Sequence, residues 1–165
     1  MTDLRDERQL ILIDGRSGSG KSQWAAELST QPGVRVVSLD EIYPGWDGLD
    51  AGQAQVYSQV ILPWLRGQVA RVRRWDWSLM ARSDEIEIAP DWHLVIEGCG
   101  ALSRHSAPHA TMRYWLEAET EVRRQRALER DGEMFRPHWT RWALQEERFY
   151  ALHRSRELAD SIIST

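Results

Sequence analysis

The sequence lacks the features that mark secreted and membrane proteins. It contains one cysteine, Cys99, so no disulfide can form within the chain, and a reducing compartment is indicated. No apolar run is longer than five residues, whereas a membrane-spanning helix needs about 20. The first eight residues are rich in charge and lack the apolar segment of a signal peptide. We therefore expect a cytoplasmic protein with no membrane partner.

Lysine is almost absent: of the 21 Lys and Arg residues, one is lysine. An ammonium is a compact point charge and a guanidinium is a planar fork, so Lys21 indicates a position where a point charge is required. The net charge of −4 and the pI near 5.7 argue against a nucleic acid polymer as the main partner. Glycine and proline, with 11 and 6 residues, are too few for a fibrous or disordered chain.

The order of the apolar segments predicts an α/β fold. A length of 165 residues suits one domain with a substantial core, and we predict a single domain over residues 1–165. Buried strands are predicted at residues 10–14, 34–39, 93–97 and 111–116, with an edge strand at 159–164. Strands that alternate with helices form parallel sheets, so we predict a three-layer α/β/α sandwich around about five parallel strands. A small excursion at about residues 71–90 and a polar lid helix at about residues 119–136 are expected beside this sheet.

A glycine-rich segment follows the first predicted strand and precedes a helix. Gly15–Ser22 matches G-x-x-x-x-G-K-[ST] at every fixed position, but the glycines do not fit the dinucleotide pattern G-x-G-x-x-G. Backbone N–H groups of such a loop, and of the helix that follows it, surround phosphate oxygens. Lys21 then reaches the β- and γ-phosphates, and the Ser22 hydroxyl coordinates Mg²⁺. The predicted nucleotide-binding residues are Gly15, Arg16, Ser17, Gly18, Ser19, Gly20, Lys21, Ser22 and Gln23.

Two carboxylates follow later strands of the predicted sheet. Asp40 and Glu97 each come directly after a predicted strand, and ligands of such folds bind outside the carboxyl ends of the strands. Asp40 is the better candidate for a general base and Glu97 for a Mg²⁺-side acid, although Glu97 is the next candidate for the base. The alternative for each is an ordinary acid that caps a turn. We interpret Asp14, just before the loop, as structural.

The helix after the fourth predicted strand carries an arginine face. Arg123, Arg126 and Arg130 lie within about 60° of one another at helical spacing. Guanidinium groups suit a phosphoryl group in transfer because they donate to several oxygens at once. The alternative is a solvated face, since Glu119, Glu129 and Glu133 lie at ion-pair spacing.

At these residues the chain resembles the uridine kinase-like group of P-loop nucleoside and nucleotide kinases. Segments of each functional part of that group have counterparts here: Ile13–Ser22 for the nucleotide loop, Asp40–Tyr43 for the D-x-hydrophobic-Y segment, Arg74–Trp77 with Arg82 for the substrate segment, Val95–Gly98 for the third strand, and Arg123–Asp131 for the lid helix. The resemblance covers roughly residues 9–136 and implies a P-loop NTPase fold.

The resemblance also implies an activity and its residues. It implies transfer of the γ-phosphoryl group of ATP, with Mg²⁺, to a hydroxyl or phosphate of a small molecule. Catalytic roles would belong to Lys21, Asp40, Arg123 and Arg126. Substrate contacts would come from Asp40, Tyr43, Asp76, Arg82, Glu97 and Arg130, and metal contacts from Ser22 and Glu97.

Two positions depart from this pattern, and both concern the acceptor. Trp75 replaces a tyrosine of the group and Met80 replaces a base-recognising histidine, so neither makes the same polar contact. The acceptor is a nucleoside, a nucleotide or another small molecule. The alternative function is a regulatory nucleotide-binding protein, or an ATPase without a small-molecule acceptor. A switch GTPase is strongly disfavoured because its N-K-x-D motif needs a lysine beyond Lys21.

Overall fold

Strands alternate with helices along the chain in the computed structural model, which describes residues 7–165. The strands are β1 Leu10–Asp14, β2 Val34–Ser38, β3 Ala70–Asp76, β4 Ala81–Ile88, β5 His93–Glu97, β6 Met112–Glu117 and β7 Ser161–Ser164. The α-helices are α1 Lys21–Ser29, α2 Leu49–Val56, α3 Leu62–Leu65, α4 Thr120–Asp131, α5 Trp139–His153 and α6 Ser155–Leu158. A π-helical turn, Tyr57–Ile61, joins α2 to α3, and 3-10 turns lie at Leu39–Glu41, Ala107–His109, Gly132–Met134 and Arg136–His138.

Five strands form one parallel sheet in the order β2-β5-β1-β6-β7. Each neighbouring pair is parallel, so the carboxyl ends of all five strands meet at one edge. This arrangement confirms the predicted α/β class, and β7 is the predicted edge strand. Among residues 7–165, no helix has the length and apolar character that a bilayer crossing requires.

The central strand β1 is buried on both faces and therefore feeds two cores. Leu10 and Leu12 face one core, which α2, α3 and α5 cover. Ile11 and Ile13 face the other, which is covered by α1 through Ala25 and other apolar residues. Because side chains of a strand alternate between faces, a continuous apolar run is what a strand between two helical layers needs.

Two segments outside the sheet surround its carboxyl edge. The expected excursion at residues 71–90 is an antiparallel hairpin of β3 and β4, with Ile86 and Ile88 turned toward the core. The polar helix expected at 119–136 is shorter: α4 ends at Asp131, where Gly132 takes a positive φ of 56°. The chain then continues in 3-10 turns to α5.

A single buried carboxylate joins three of these elements at the end of β1. Oδ1 of Asp14 accepts from the Gly15 amide (2.6 Å), the Gly100 amide (3.1 Å) and the Tyr150 hydroxyl (2.7 Å), and Oδ2 accepts from the Leu102 amide (2.8 Å). Burial raises the pKa of Asp14 to about 6, although the hydrogen bonds from Tyr150 and the amides lower it. Four donors converge on one carboxyl group, which supports its structural interpretation.

We expect Asp14→Asn to destabilise the protein, because an amide has one acceptor atom where the carboxylate has two. At least one of the four donors then faces an NH₂ group in a buried site, which costs about 2–4 kcal/mol. At this chain length the melting temperature falls by about 4–16 °C, measurable by calorimetry. Exposed Asp91→Asn is the matched control, and an unchanged melting temperature for both would contradict the prediction.

Candidate active site

The glycine-rich loop Gly15–Gly20, predicted to bind phosphate, lies between β1 and α1, and two glycines allow its close packing. A Cβ on Gly15 would lie 2.1 Å from the Leu116 carbonyl oxygen, and one on Gly18 would lie 2.0 Å from the Arg123 carbonyl oxygen. Both glycines also have positive φ, which side chains disfavour. The loop therefore packs between the end of β6 and the first turns of α4. Its backbone amides lie at the N-terminus of α1.

Lys21 is buried at the start of α1 and is held by the loop itself. Its Nζ donates to the Arg16 carbonyl at 3.1 Å. Burial lowers the pKa of Lys21, but Cys99, Glu97, Asp40 and Asp14 together raise it above its ordinary value. The ammonium therefore stays charged inside the site as a compact point charge.

Ser22 and Glu97 lie together, although 75 residues separate them in the sequence. The Ser22 hydroxyl donates to Glu97 Oε1 at 3.1 Å. Glu97 is buried, and burial together with the negative charge of Asp40 raises its pKa. A hydroxyl and a carboxylate in an anionic site fit Mg²⁺, which binds through one or two protein oxygens, phosphates and water. Within residues 7–165 no cluster of three or more His, Cys, Asp or Glu side chains is arranged to hold a metal by itself.

Asp40 lies beside this pair but not at the end of a strand as expected. β2 ends at Ser38, and Asp40 belongs to the 3-10 turn Leu39–Glu41. Its backbone carbonyl accepts from the Trp77 indole N–H at 2.8 Å, and its carboxylate is exposed, 3.9 Å from the Arg130 guanidinium. The turn therefore exposes the carboxylate, with the Arg130 guanidinium as its ion-pair partner.

A cavity of about 490 Å³ extends from the loop residue Ser17 past Asp40. Six of its lining residues are aromatic: Tyr43, Trp46, Trp75, Trp77, Phe135 and Trp142. Trp46 organises this wall, because its ring lies 4.6 Å from Trp77 and 5.4 Å from Phe135, stacked on the latter. The charged lining residues are Asp40, Glu41, Asp76, Asp131, Arg74 and Arg130.

Two expected substrate residues are used by the fold instead. The Tyr43 hydroxyl is buried and donates to the Cys99 carbonyl at 2.6 Å, so only its ring meets the cavity. Arg82 donates to the Ile42 carbonyl at 2.9 Å, and its guanidinium lies 5.5 Å from the Trp75 ring centroid. Arg82 therefore connects the hairpin to Ile42, and it does not line the cavity. Asp76 does line it, while its Oδ1 caps the hairpin turn.

Arg123, Arg126 and Arg130, three of the four arginines of α4, make different contacts. Arg123 is buried, and its guanidinium donates to the carbonyls of Ala118 (3.1 Å) and Ser17 (3.2 Å) and to the Thr120 hydroxyl. Arg126 is exposed and donates to the Thr165 hydroxyl. Only Arg130 reaches the cavity. The three guanidinium groups are thus separated: Arg123 bonds the loop at the Ser17 carbonyl, and α4 packs directly against Gly18. A phosphate-binding role for these arginines stays a prediction.

Sequence analysis missed one charged neighbour of the loop. Glu146 lies on the face of α5 that also carries Trp142 and Phe149, and it contacts the Ser17 amide. The available signal was a carboxylate within an otherwise apolar helical stripe, since a buried charge is retained only where it has partners.

The fold is similar to those of solved kinases. A possible uridine kinase from Bacillus stearothermophilus matches with a TM-score of 0.69 and 18% identity, over 98% of this chain and 91% of that chain. A candidate fructose transport system kinase from Silicibacter sp. TM1040 matches with a TM-score of 0.56 and 19% identity, over 100% of this chain and 93% of that chain. No family model and no curated protein matches the sequence. The chain thus has the α/β fold of P-loop kinases.

We expect Arg123→Ala to destabilise the protein more than Arg126→Ala. Removing the Arg123 guanidinium leaves the Ser17 and Ala118 carbonyls without this donor, at about 1–3 kcal/mol. Exposed Arg126 is the matched control on the same helix, with an expected change within about 0.5 kcal/mol. Chemical denaturation measures both, and equal stability of the two variants would restore the expected phosphate role of Arg123.

Proposed function

We propose that this protein transfers the γ-phosphoryl group of ATP to a hydroxyl group of a small molecule. One observation carries the proposal: the phosphate-binding loop, through Ser17, and the carboxylate of Asp40 line the same cavity. A donor nucleotide and an acceptor held at these two places would have their reacting groups side by side. The similarity in fold to kinases supports the same conclusion.

The loop provides the donor half of the proposed reaction. Backbone amides of residues 15–22 and the Lys21 ammonium would hold the phosphates of ATP. Ser22 would ligate Mg²⁺, with Glu97 binding it directly or through water. Mg²⁺, when bound, neutralises the charge that develops on the transferred phosphoryl group.

Asp40 is the proposed general base. Its carboxylate is exposed on the cavity wall, where an acceptor hydroxyl can meet it. Glu97, the other candidate, is buried and accepts from Ser22, which suits it to the metal side. The Trp77 indole restrains the backbone of Asp40, so the base would be held in position from the acceptor side.

The charge of the cavity supports a hydroxyl acceptor rather than a phosphate acceptor. Arg74 pairs with Asp84 at 2.6 Å, and Arg130 pairs with Asp131 at 2.6 Å, so both lining cations already have carboxylate partners. Four lining carboxylates against two arginines leave the wall net negative, which disfavours a second phosphate. The aromatic wall suits the flat or apolar body of an uncharged or cationic alcohol.

An acceptor panel tests the proposal. ADP formation from Mg²⁺-ATP is measured alone and with nucleosides, nucleoside monophosphates, sugars and other small alcohols. We expect at least one alcohol to raise the rate above the acceptor-free level, whereas the monophosphates do not. Lys21→Ala is the control and loses this stimulation. ATP binding without stimulation by any acceptor would favour the regulatory or ATPase alternative.

For the stimulating acceptor, Asp40→Asn should lower kcat on the order of 10²–10⁴-fold with little change in the acceptor KM. Asparagine keeps the volume and hydrogen bonding of aspartate but accepts no proton. Glu97→Gln is the comparison variant and should instead raise the Mg²⁺ concentration needed for half-maximal rate. An unchanged kcat in Asp40→Asn, with a large loss in Glu97→Gln, would transfer the base role to Glu97.

A further inference from the structure

Glu146 is a buried carboxylate that the proposed reaction does not use. Its residue exposure is 2%, and it lies within the apolar face of α5. Oε1 accepts from the Ser17 amide at 2.8 Å and from the Cys99 thiol at 3.3 Å. A buried carboxylate is costly unless it is hydrogen-bonded and paired, so these contacts account for its presence there.

Two arginines balance the charge of Glu146. Its Oε2 lies 3.7 Å from the Arg16 guanidinium. The Arg123 guanidinium donates to the Ser17 carbonyl nearby. Burial lowers the pKa of Arg123, Glu146 raises it and Arg16 lowers it, as expected for a carboxylate that lies close to both cations. Arg16 also pairs with exposed Glu147 at 2.7 Å, so Glu146 is the buried one of its two carboxylate partners.

The Ser17 amide belongs to the same peptide unit as the Arg16 carbonyl. In a trans peptide these two groups point in opposite directions. The amide points to Glu146, while the carbonyl accepts from Lys21 Nζ (3.1 Å) and from the Ser19 amide (3.1 Å). The orientation of this one peptide plane therefore connects Glu146 on α5 to the Lys21 ammonium.

We propose that Glu146 is a positioning residue that fixes the Arg16–Ser17 peptide plane, so that the loop and Lys21 stand in the phosphate-receiving arrangement before nucleotide binds. The inference rests on the proposed nucleotide-binding function. The binding free energy of nucleotide is then not spent on ordering the loop, which is the advantage of a preorganised site.

Four variants separate hydrogen bonding from charge. Glu146→Ala removes both, Glu146→Gln keeps an acceptor oxygen at the same reach without charge, and Glu146→Asp keeps the charge but shortens the reach by one methylene. Glu147→Gln is the matched control, because exposed Glu147 pairs with the Arg16 side chain at 2.7 Å and not with the backbone. The full chain is titrated with a fluorescent ATP analogue and Mg²⁺, and thermal stability is recorded alongside.

We expect Glu146→Ala and Glu146→Asp to raise the Kd for the analogue by about tenfold, equivalent to about 1.4 kcal/mol. Glu146→Gln should lie within about threefold of the wild type, and Glu147→Gln within about twofold, the range of an exposed ion pair. The acceptor KM should stay within about twofold in all four. If Glu146→Ala does not fold, the Gln and Asp variants decide the test.

Two results would overturn the inference. One is wild-type affinity in Glu146→Asp and Glu146→Ala, which would make Glu146 a packing residue. The other is an equal loss of nucleotide affinity in Glu146→Gln and Glu146→Asp. A neutral acceptor at full reach would then be no better than a shortened carboxylate, so the hydrogen bond to the Ser17 amide would not be what holds the loop. A wild-type protein that does not bind the analogue would instead overturn the proposed function itself.

Discussion

The site depends on the carboxylate at the end of β1. Asp14 receives amides from the phosphate-binding loop and from the segment after β5, and a hydroxyl from α5. These three segments lie far apart in the sequence, and Asp14 joins them through its hydrogen bonds. A fully satisfied buried polar group can specify one arrangement more sharply than apolar packing does. The loop is therefore rigid where it starts, at Gly15, and its later residues are held by α4 and α5.

The parts of the fold that are local in sequence were predictable from the sequence. The run Leu10–Asp14, buried on both sides, reads directly as a central strand, and the fixed spacing of the loop follows it within one segment. Backbone geometry alone dictates both patterns, so no distant partner is needed to interpret them. The edge position of β7 was also predicted, whereas the strand order β2-β5-β1-β6-β7 was not.

The roles of individual side chains were less predictable, because several side-chain donors form hydrogen bonds to backbone carbonyls that are distant in the sequence. Helical spacing correctly put Arg123 near Arg126 and Arg130, but it does not say which neighbour covers each residue. Because α4 lies close to Gly18, the Arg123 guanidinium donates a hydrogen bond to the Ser17 carbonyl of the loop. In the same way Tyr43 and Arg82 bond carbonyls 56 and 40 residues away. These contacts are properties of the packed sheet and hairpin and leave no pattern in the local sequence.

The hairpin of β3 and β4 contributes to the aromatic wall of the cavity and also contacts the turn that carries Asp40. Its Trp77 lines the cavity and donates to the Asp40 carbonyl, while Arg82 fastens it to the neighbouring residue Ile42. Under the proposed function, the same hairpin would contact the acceptor and position the base, whereas a separate set of contacts would hold the nucleotide. Descendants of such a fold can diversify the hairpin face that meets the acceptor, provided that the indole and its carbonyl partner remain. Evolution toward a new acceptor would accordingly change the faces of the hairpin while conserving its attachment.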